Sequence, residues 1–337
     1  MKKNSNLLIY FLSRSLFLGG GISTLFLYCS KDAYIAIILG TLLGIGIIYI
    51  ISRIKISKPF NIYLQEKSFI NILIKVIFIC YIIFGIFILL IILATFLYSY
   101  FLPFTPSVIS CLPFIFLAAF LSPKSTSKIV YVAQVLFIIS LILIFLKTIL
   151  LTNEFDFGNL LPVLTTKPFN IFKASLIFTI LSTAPFILLI DESIQFKQSL
   201  KYYLISSLTI FIVVLTITAV LGELVNVYSY PEYSVLRKIR LFKFIENIEN
   251  FISIGWFFDI FICLSLSSLK LKQLFNTNKS IVSFGITTFI LIIVNYLIIN
   301  NFYNSIIIYK IFPIILAIFM FILFLLFAFK KRIDKHD

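Results

Sequence analysis

Histidine is nearly missing: the 337 residues contain one, His336, in a polar C-terminal tail. That excludes a histidine-based catalytic triad, a His-ligated metal centre and a histidine proton relay. Charge is also scarce. Asp, Glu, Lys and Arg make up 12% of the chain, against roughly 25% in soluble domains. No charged stretch is long enough to fold alone in water, so a soluble enzyme tethered by an anchor is excluded. The four cysteines, Cys29, Cys80, Cys111 and Cys263, lie far apart in or beside apolar runs. Without a C-x-x-C pair they support neither zinc nor a redox motif and read as packing residues. The G-x-x-x-x-G-K-[ST] and H-E-x-x-H patterns are absent, so neither nucleotide nor metalloprotease chemistry is indicated. The expectation is a protein that is not an enzyme and uses no cofactor and no metal.

What remains is apolar. Hydrophobic residues are 61% of the chain, 40 of them Phe. A membrane helix needs about 20 consecutive apolar residues. Ten apolar segments can be marked off, at about 7–28, 33–52, 71–99, 107–121, 129–151, 173–190, 202–222, 251–269, 281–300 and 306–329. The third is long and the fourth short, which allows tilt or re-entrance. In a bilayer each segment must satisfy its own backbone polar groups, and none shows the alternation of a barrel strand, so all read as helices. Lys2 and Lys3 precede the first run, Arg14 interrupts it and no small-residue cleavage site follows. It therefore reads as a retained span rather than a signal peptide. The expected architecture is one membrane domain over 1–337, with a first five-helix half at 7–152 and a second at 173–330.

Net charge is +15, and its distribution argues for topology rather than nucleic acid. With the N-terminus inside, the inner loops hold Arg53, Lys55, Lys58, Lys67, Lys75, Lys124, Lys128, Lys197, Lys201, Lys270, Lys272 and Lys279. The tail adds Lys330, Lys331, Arg332 and Lys335. The basic residues of the outer loops are offset by Asp32, Glu154, Asp156, Glu223, Glu232, Glu246 and Glu249. This asymmetry places both termini in the cytoplasm. It accounts for the basic character through anionic lipid, with no nucleic-acid partner. Two outer segments exceed a tight turn, 152–172 and 223–250. In the second, Leu236, Ile239, Phe242, Ile245, Ile248 and Ile252 recur at helical spacing. That suggests an amphipathic helix, either a lid on the membrane surface or a contact surface for a partner protein.

Function should sit where the hydrophobic pattern is violated. Gly19, Gly20 and Gly21 interrupt the first span, with Ser23 just beyond. Each glycine costs a helix about 1 kcal/mol relative to Ala, so three together favour unwinding and exposed main-chain atoms; close packing through small residues is the competing reading. Thr179, Ser182, Thr183, Ala184 and Pro185 interrupt the sixth span. Proline there removes a donor and clashes with the preceding turn. Breaks in spans one and six occupy equivalent positions of two five-span halves, the pattern of an inverted-repeat transporter site at mid-membrane. The halves show no sequence similarity by eye, so the repeat rests on placement. Arg14 and Asp259 lie within spans and Trp256 one turn before Asp259. They are candidate ion, proton or gating residues, with Asp259 free to pair with Arg14 or a Lys. Lys147 and Glu223 fall near the outer boundary, and Asp191-Glu192 reads as a solvated helix end.

The stretch Tyr230–Trp256 (YPEYSVLRKIRLFKFIENIENFISIGW) resembles the spore germination permease family, the B-type membrane subunit of nutrient germinant receptors, within the amino acid–polyamine–organocation transporter superfamily. The shared features are an aromatic-Pro pair (Tyr230-Pro231), a basic stretch from Arg237 to Lys243, Glu246 and Glu249, and Trp256 entering the eighth span. Asp32-Ala33-Tyr34 resembles the family's Asp-Ala-Trp, and Gly19–Gly21 fall where the superfamily unwinds its first helix. The resemblance implies a nutrient-sensing subunit in a spore inner membrane or cytoplasmic membrane, acting with a large membrane subunit and a lipoprotein. A small nutrient such as an amino acid would place its carboxylate at Gly19–Gly21 and its amino group near Thr179–Pro185. A proton- or sodium-coupled transporter of amino acids or polyamines is the alternative, with Asp259 suited to coupling. A nontransporting scaffold docking a partner through 223–250 is the third. Under the first reading, Gly20→Leu abolishes the nutrient response of spores while the protein still inserts; a fully responsive variant removes the glycine break from the mechanism.

Overall fold

The computed structural model describes residues 5–17, 20–53, 69–121, 126–192, 194–239, 248–275, 280–299 and 305–333. Helix is the only regular structure among them. A short α1 (Leu8–Leu12) is followed after an interruption by α2 (Gly20–Cys29). Then come α3 (Ala33–Arg53), α4 (Phe69–Phe96), α5 (Ser107–Leu121), α6 (Thr126–Leu150) and α7 (Pro168–Thr183). The chain continues through α8 (Phe196–Leu221), α9 (Pro231–Leu236), α10 (Ile248–Leu274), α11 (Ser280–Ile299) and α12 (Ser305–Ile333).

Among the described residues, eight helical runs are long and apolar enough to cross a membrane: Gly20–Arg53, Phe69–Phe101, Thr126–Leu150, Pro168–Leu189, Phe196–Asn226, Glu249–Leu274, Ser280–Ile299 and Lys310–Ala328. Ser107–Phe120 is apolar but shorter. Ser30, at φ +46°, separates α2 from α3 within the first run. This is an all-α polytopic membrane protein.

The pattern on α6 shows why. Tyr131, Val135, Ile138, Ile142, Phe145 and Ile149 recur three and four apart and are all exposed. Thr126, Ala133, Ser140 and Lys147, seven apart, are all buried. A water-soluble helix turns its apolar stripe inward. Here the stripe faces out, as lipid requires, and the polar residues face the bundle.

α3 lies against α7 and α8 through two glycines one turn apart. The Thr179 hydroxyl donates to the Gly40 carbonyl at 2.9 Å. A Cβ on Gly40 would lie 2.7 Å from the Ser175 carbonyl oxygen, and one on Gly44 would overlap the Tyr203 hydroxyl. Small residues let membrane helices approach to van der Waals contact without a hydrophobic drive.

Connecting segments close the bundle at one end. The Asp32 carboxylate accepts from the backbone N–H of Leu164 and Thr166, each at 2.9 Å, and from the Thr165 hydroxyl at 3.2 Å. It thereby fixes the 152–167 connection above the turn between α2 and α3. Asn159 reaches the Ala219 carbonyl at 3.0 Å, and Lys31 pairs with Glu223 at 3.3 Å. At the opposite end Asn6 clamps the start of α8, accepting from the Gln195 backbone N–H at 3.1 Å and the Ser199 hydroxyl at 2.9 Å.

Two expectations need correction. Asp191 is not a solvated helix end: it pairs with Lys270, whose side chain is buried in α10. Glu192 accepts from the Thr126 hydroxyl at 2.7 Å. Nor does the 223–250 segment lie wholly on the surface: Leu224 and Val227 are exposed, but the chain then turns inward. Tyr230–Leu236 is inserted in the bundle, where Tyr230 bonds Thr95 at 2.6 Å and its ring packs on Phe96. The amphipathic stretch falls mostly on 240–247, outside the described residues. Leu236, Ile239 and Ile252 are buried.

The glycine seam makes a paired prediction. Gly44→Leu overpacks it and costs about 1–3 kcal/mol or more, read as a lower unfolding midpoint in mixed micelles. Gly46→Leu, with nothing within 4 Å of its Cβ position, leaves the midpoint unchanged.

Candidate ligand cavity at the break in the first helix

The first span stops being helical before its glycines. After Leu12 the chain turns through Ser13–Leu16. The carbonyls freed there are satisfied locally: the Ser13 hydroxyl bonds the Tyr10 carbonyl at 3.1 Å, and also the Ile9 carbonyl at 2.8 Å, while the Ser15 hydroxyl bonds the Leu12 carbonyl at 2.9 Å. Ser13 also contacts the Ser206 hydroxyl of α8. Helix resumes at Gly20. A Cβ on Gly21 would collide with the Leu16 carbonyl, so the turn folds back onto the first residues of α2 and glycine is required there. The Gly20 carbonyl accepts from Thr24 at 2.5 Å. Gly19 lies outside the described residues. Ser23 faces away from the break, donating to the Ser229 carbonyl at 2.6 Å.

The break delivers Arg14 into the bundle. Its Nε donates to Asp259 Oδ2 of α10 at 3.0 Å. Its Nη1 donates to the Tyr10 hydroxyl at 2.5 Å and to Thr209 Oγ1 of α8 at 3.0 Å. Tyr10 in turn bonds Ser140 of α6 at 3.0 Å. The pair is 7% and 3% exposed, so both ions have left water. Such a pair holds only with extra hydrogen bonds on its spare groups. Arg14 has them in part: among the described residues Nη2 makes none. Asp259 Oδ1 is buried and has no hydrogen-bond partner among them either.

Both residues line a cavity of about 20 Å³, together with Phe17, Ile22, Thr209, Ile210, Val213 and Trp256. That is room for about one water molecule. All three residues assigned to ion or gating roles, Arg14, Trp256 and Asp259, thus meet at one place. The glycine stretch adjoins it through Phe17 and Ile22.

The sixth-span residues lie elsewhere. α7 ends at Thr183, and Ala184–Leu189 continue as a tighter 3-10 helix. Pro185 lacks the N–H that would bond the Leu181 carbonyl, which favours the change of pitch. Thr183 bonds the Thr179 carbonyl at 2.7 Å, and Ser182 bonds the Thr179 carbonyl at 3.1 Å and the Tyr203 hydroxyl at 3.2 Å. The Ala184 carbonyl accepts from Tyr81 at 2.6 Å. Thr179, Ser182, Thr183, Ala184 and Pro185 are all buried, and none lines the cavity.

Sequence reasoning missed Thr209, Tyr10 and Lys147. Lys147 lies in the last turn of α6, near the end of its span as expected, but it is 5% exposed, with its ammonium 5.8 Å from the centre of the Trp256 ring. Its seven-residue register with Thr126, Ala133 and Ser140 was the available signal.

A family model, Spore_permease, described as spore germination protein, matches residues 7–284, and the chain belongs to that family. No curated protein matches it. Fold and family together make it an integral membrane protein of spore germination.

Asp259→Leu leaves Arg14 buried without its counter-ion and is expected to cost about 3–5 kcal/mol. The double variant Arg14→Met/Asp259→Leu recovers most of that loss. Unfolding midpoints of the purified proteins decide it; equal losses in single and double variants rule out a coupled pair.

Proposed function

We propose that this chain is the nutrient-sensing membrane subunit of a spore germinant receptor and that the cavity beside Arg14 and Asp259 is where a small nutrient is held. One observation carries the reading. A membrane helix interrupted at Ser13–Phe17 ends in a cavity whose walls include a buried guanidinium and carboxylate with unused hydrogen-bonding groups. Positive and negative groups side by side, with Phe17, Ile22, Ile210 and Val213 around them, suit a zwitterion with a small apolar side chain, as an amino acid is. The ligand carboxylate goes to Arg14 and the N-terminal side of α2, and the ammonium to the indole face of Trp256. The site is thus assigned to spans one, seven and eight rather than to one and six.

At about 20 Å³ the cavity is closed to such a ligand, so binding requires a second arrangement. A ligand shifts the balance between two arrangements only by its differential affinity for them. In this reading the protein works by that shift, without catalysis, with ten spans in two halves of five and both termini in the cytoplasm. Its membrane is the spore inner membrane, and its partners are a large membrane subunit and a lipoprotein.

The transporter reading retains one supporting observation, the changes of helix geometry in spans one and six. Two measurements separate the readings. Spores carrying Arg14→Ala lose their response to a nutrient mixture while the protein remains in the membrane fraction; retained response sinks the site. Proteoliposomes holding the isolated chain show no amino acid uptake above empty vesicles; robust uptake favours transport.

A further inference from the structure

Lys147 is a buried cation that the cavity leaves unexplained. Its ammonium makes no hydrogen bond among the described residues, and the indole face of Trp256 at 5.8 Å is its recorded contact. A ring face is a weak substitute for a carboxylate. It lies within electrostatic reach of Arg14, Asp259 and the buried Glu232 of α9. We propose that Asp259 is a counter-ion with two stations: it holds Arg14 in the arrangement seen here and passes to Lys147 when a ligand carboxylate takes its place on Arg14.

The geometry supports the exchange. Asp259 binds Arg14 through Oδ2 alone, and Oδ1 is buried without a partner among the described residues. Two buried cations therefore lie within reach of one half-used carboxylate, with Glu232 a second acid near Lys147. Trp256 and Asp259 are three residues apart on α10, hence on one face and about one turn apart. α6 and α10 approach closely at Gly255, where a Cβ would lie 3.3 Å from Leu143 Cδ1. Lys147 is one turn further along α6 than Leu143, which is what delivers it over Trp256. In the proposed exchange the four-carbon stem of Lys147 pivots from the indole towards the carboxylate one turn away on α10.

The exchange also supplies a way out for a signal. Lys147 turning towards Asp259 turns away from Glu232, on the inserted segment Tyr230–Leu236. Ligand binding at Arg14 then weakens the attraction between Lys147 and Glu232, which links the cavity to that segment. Charge is conserved throughout: Arg14 trades one carboxylate for another, and Asp259 trades one cation for another.

This inference rests on the proposed ligand site, yet its central test needs no ligand. Trp256 is the one tryptophan of the chain, so its fluorescence reports the ammonium on its ring. In purified protein in nanodiscs, Arg14→Gln frees Asp259, and Trp256 emission is expected to shift as Lys147 leaves the ring. Lys147→Met shifts it as well, and adding Arg14→Gln to Lys147→Met produces no further shift. The double variant Arg14→Gln/Lys147→Met also loses more in unfolding midpoint than the two single losses combined, because Asp259 then has no partner. Wild-type emission in Arg14→Gln, or additive midpoints, overturns the proposal. So does failure of Arg14→Gln to accumulate where Arg14→Gln/Asp259→Asn accumulates, since no second cation then reaches the acid. Propionate and ethylamine serve as separate probes on the wild type. A shift with propionate that Lys147→Met abolishes is expected. No shift with propionate, alongside the expected Arg14→Gln result, sinks the carboxylate site and leaves the exchange standing.

Discussion

A guanidinium cannot remain inside a helix bundle without a carboxylate, and here the carboxylate comes from 245 residues further along the chain. That requirement joins the broken first helix to α10 and fixes where the break must fall. Arg14 reaches Asp259 from a turn, while its backbone carbonyl accepts from Phe17 at 3.0 Å. The neighbouring polar residues follow the same logic. Asn6, Tyr10, Ser13 and Arg14 lie four, three and one residues apart, and each meets a polar group of α6, α8 or α10. The first half-helix is held by rungs of hydrogen bonds, with apolar residues such as Leu8, Phe11 and Leu12 filling the space between.

The second break has a different character. Tightening at Ala184–Leu189 keeps the backbone bonded within the segment, and the surrounding hydroxyls are spent on Thr179, Gly40 and Tyr203. A helix that changes pitch exposes little to a ligand, whereas one that stops and turns carries a charged side chain into the interior. The two interruptions look equivalent as sequence, since both combine small, hydroxylic and helix-breaking residues. They differ because Gly21 lets the chain pack back on Leu16, while Pro185 only withholds one donor.

The fold was legible because lipid enforces long apolar runs, and each segment marked in the sequence holds helix among the described residues, the first of them interrupted at Ser13–Phe17. Arg14 and Asp259 were visible as charges where charge is costly. The glycines marked the neighbourhood of the break, six residues beyond its start at Ser13. Thr209 was illegible because a threonine in an apolar helix is unremarkable until its face is known. The burial of Lys147 was missed because distance along the chain places it near the end of a span, while helical register decides which face it is on. Asp191 and Lys270 were misread for a related reason: loops and helix ends were assumed to be wet, and here the ends fold inward.

The contrast between the two kinds of packing indicates which part of the molecule can move. The seam of Gly40 and Gly44 depends on shape and has no substitute partner: separating α3 from α7 and α8 leaves voids. Asp32 likewise grips two backbone amides that nothing else nearby is placed to satisfy. The rungs on α1 are different. A hydroxyl or guanidinium released from one polar partner accepts a water or a ligand carboxylate in exchange, at a net cost of about 0.5–1.5 kcal/mol for an ordinary hydrogen bond. The bundle therefore combines a frame that tolerates no displacement with one short helix whose contacts are exchangeable. The cavity lies at the end of that helix, where a small polar molecule can compete for the same groups.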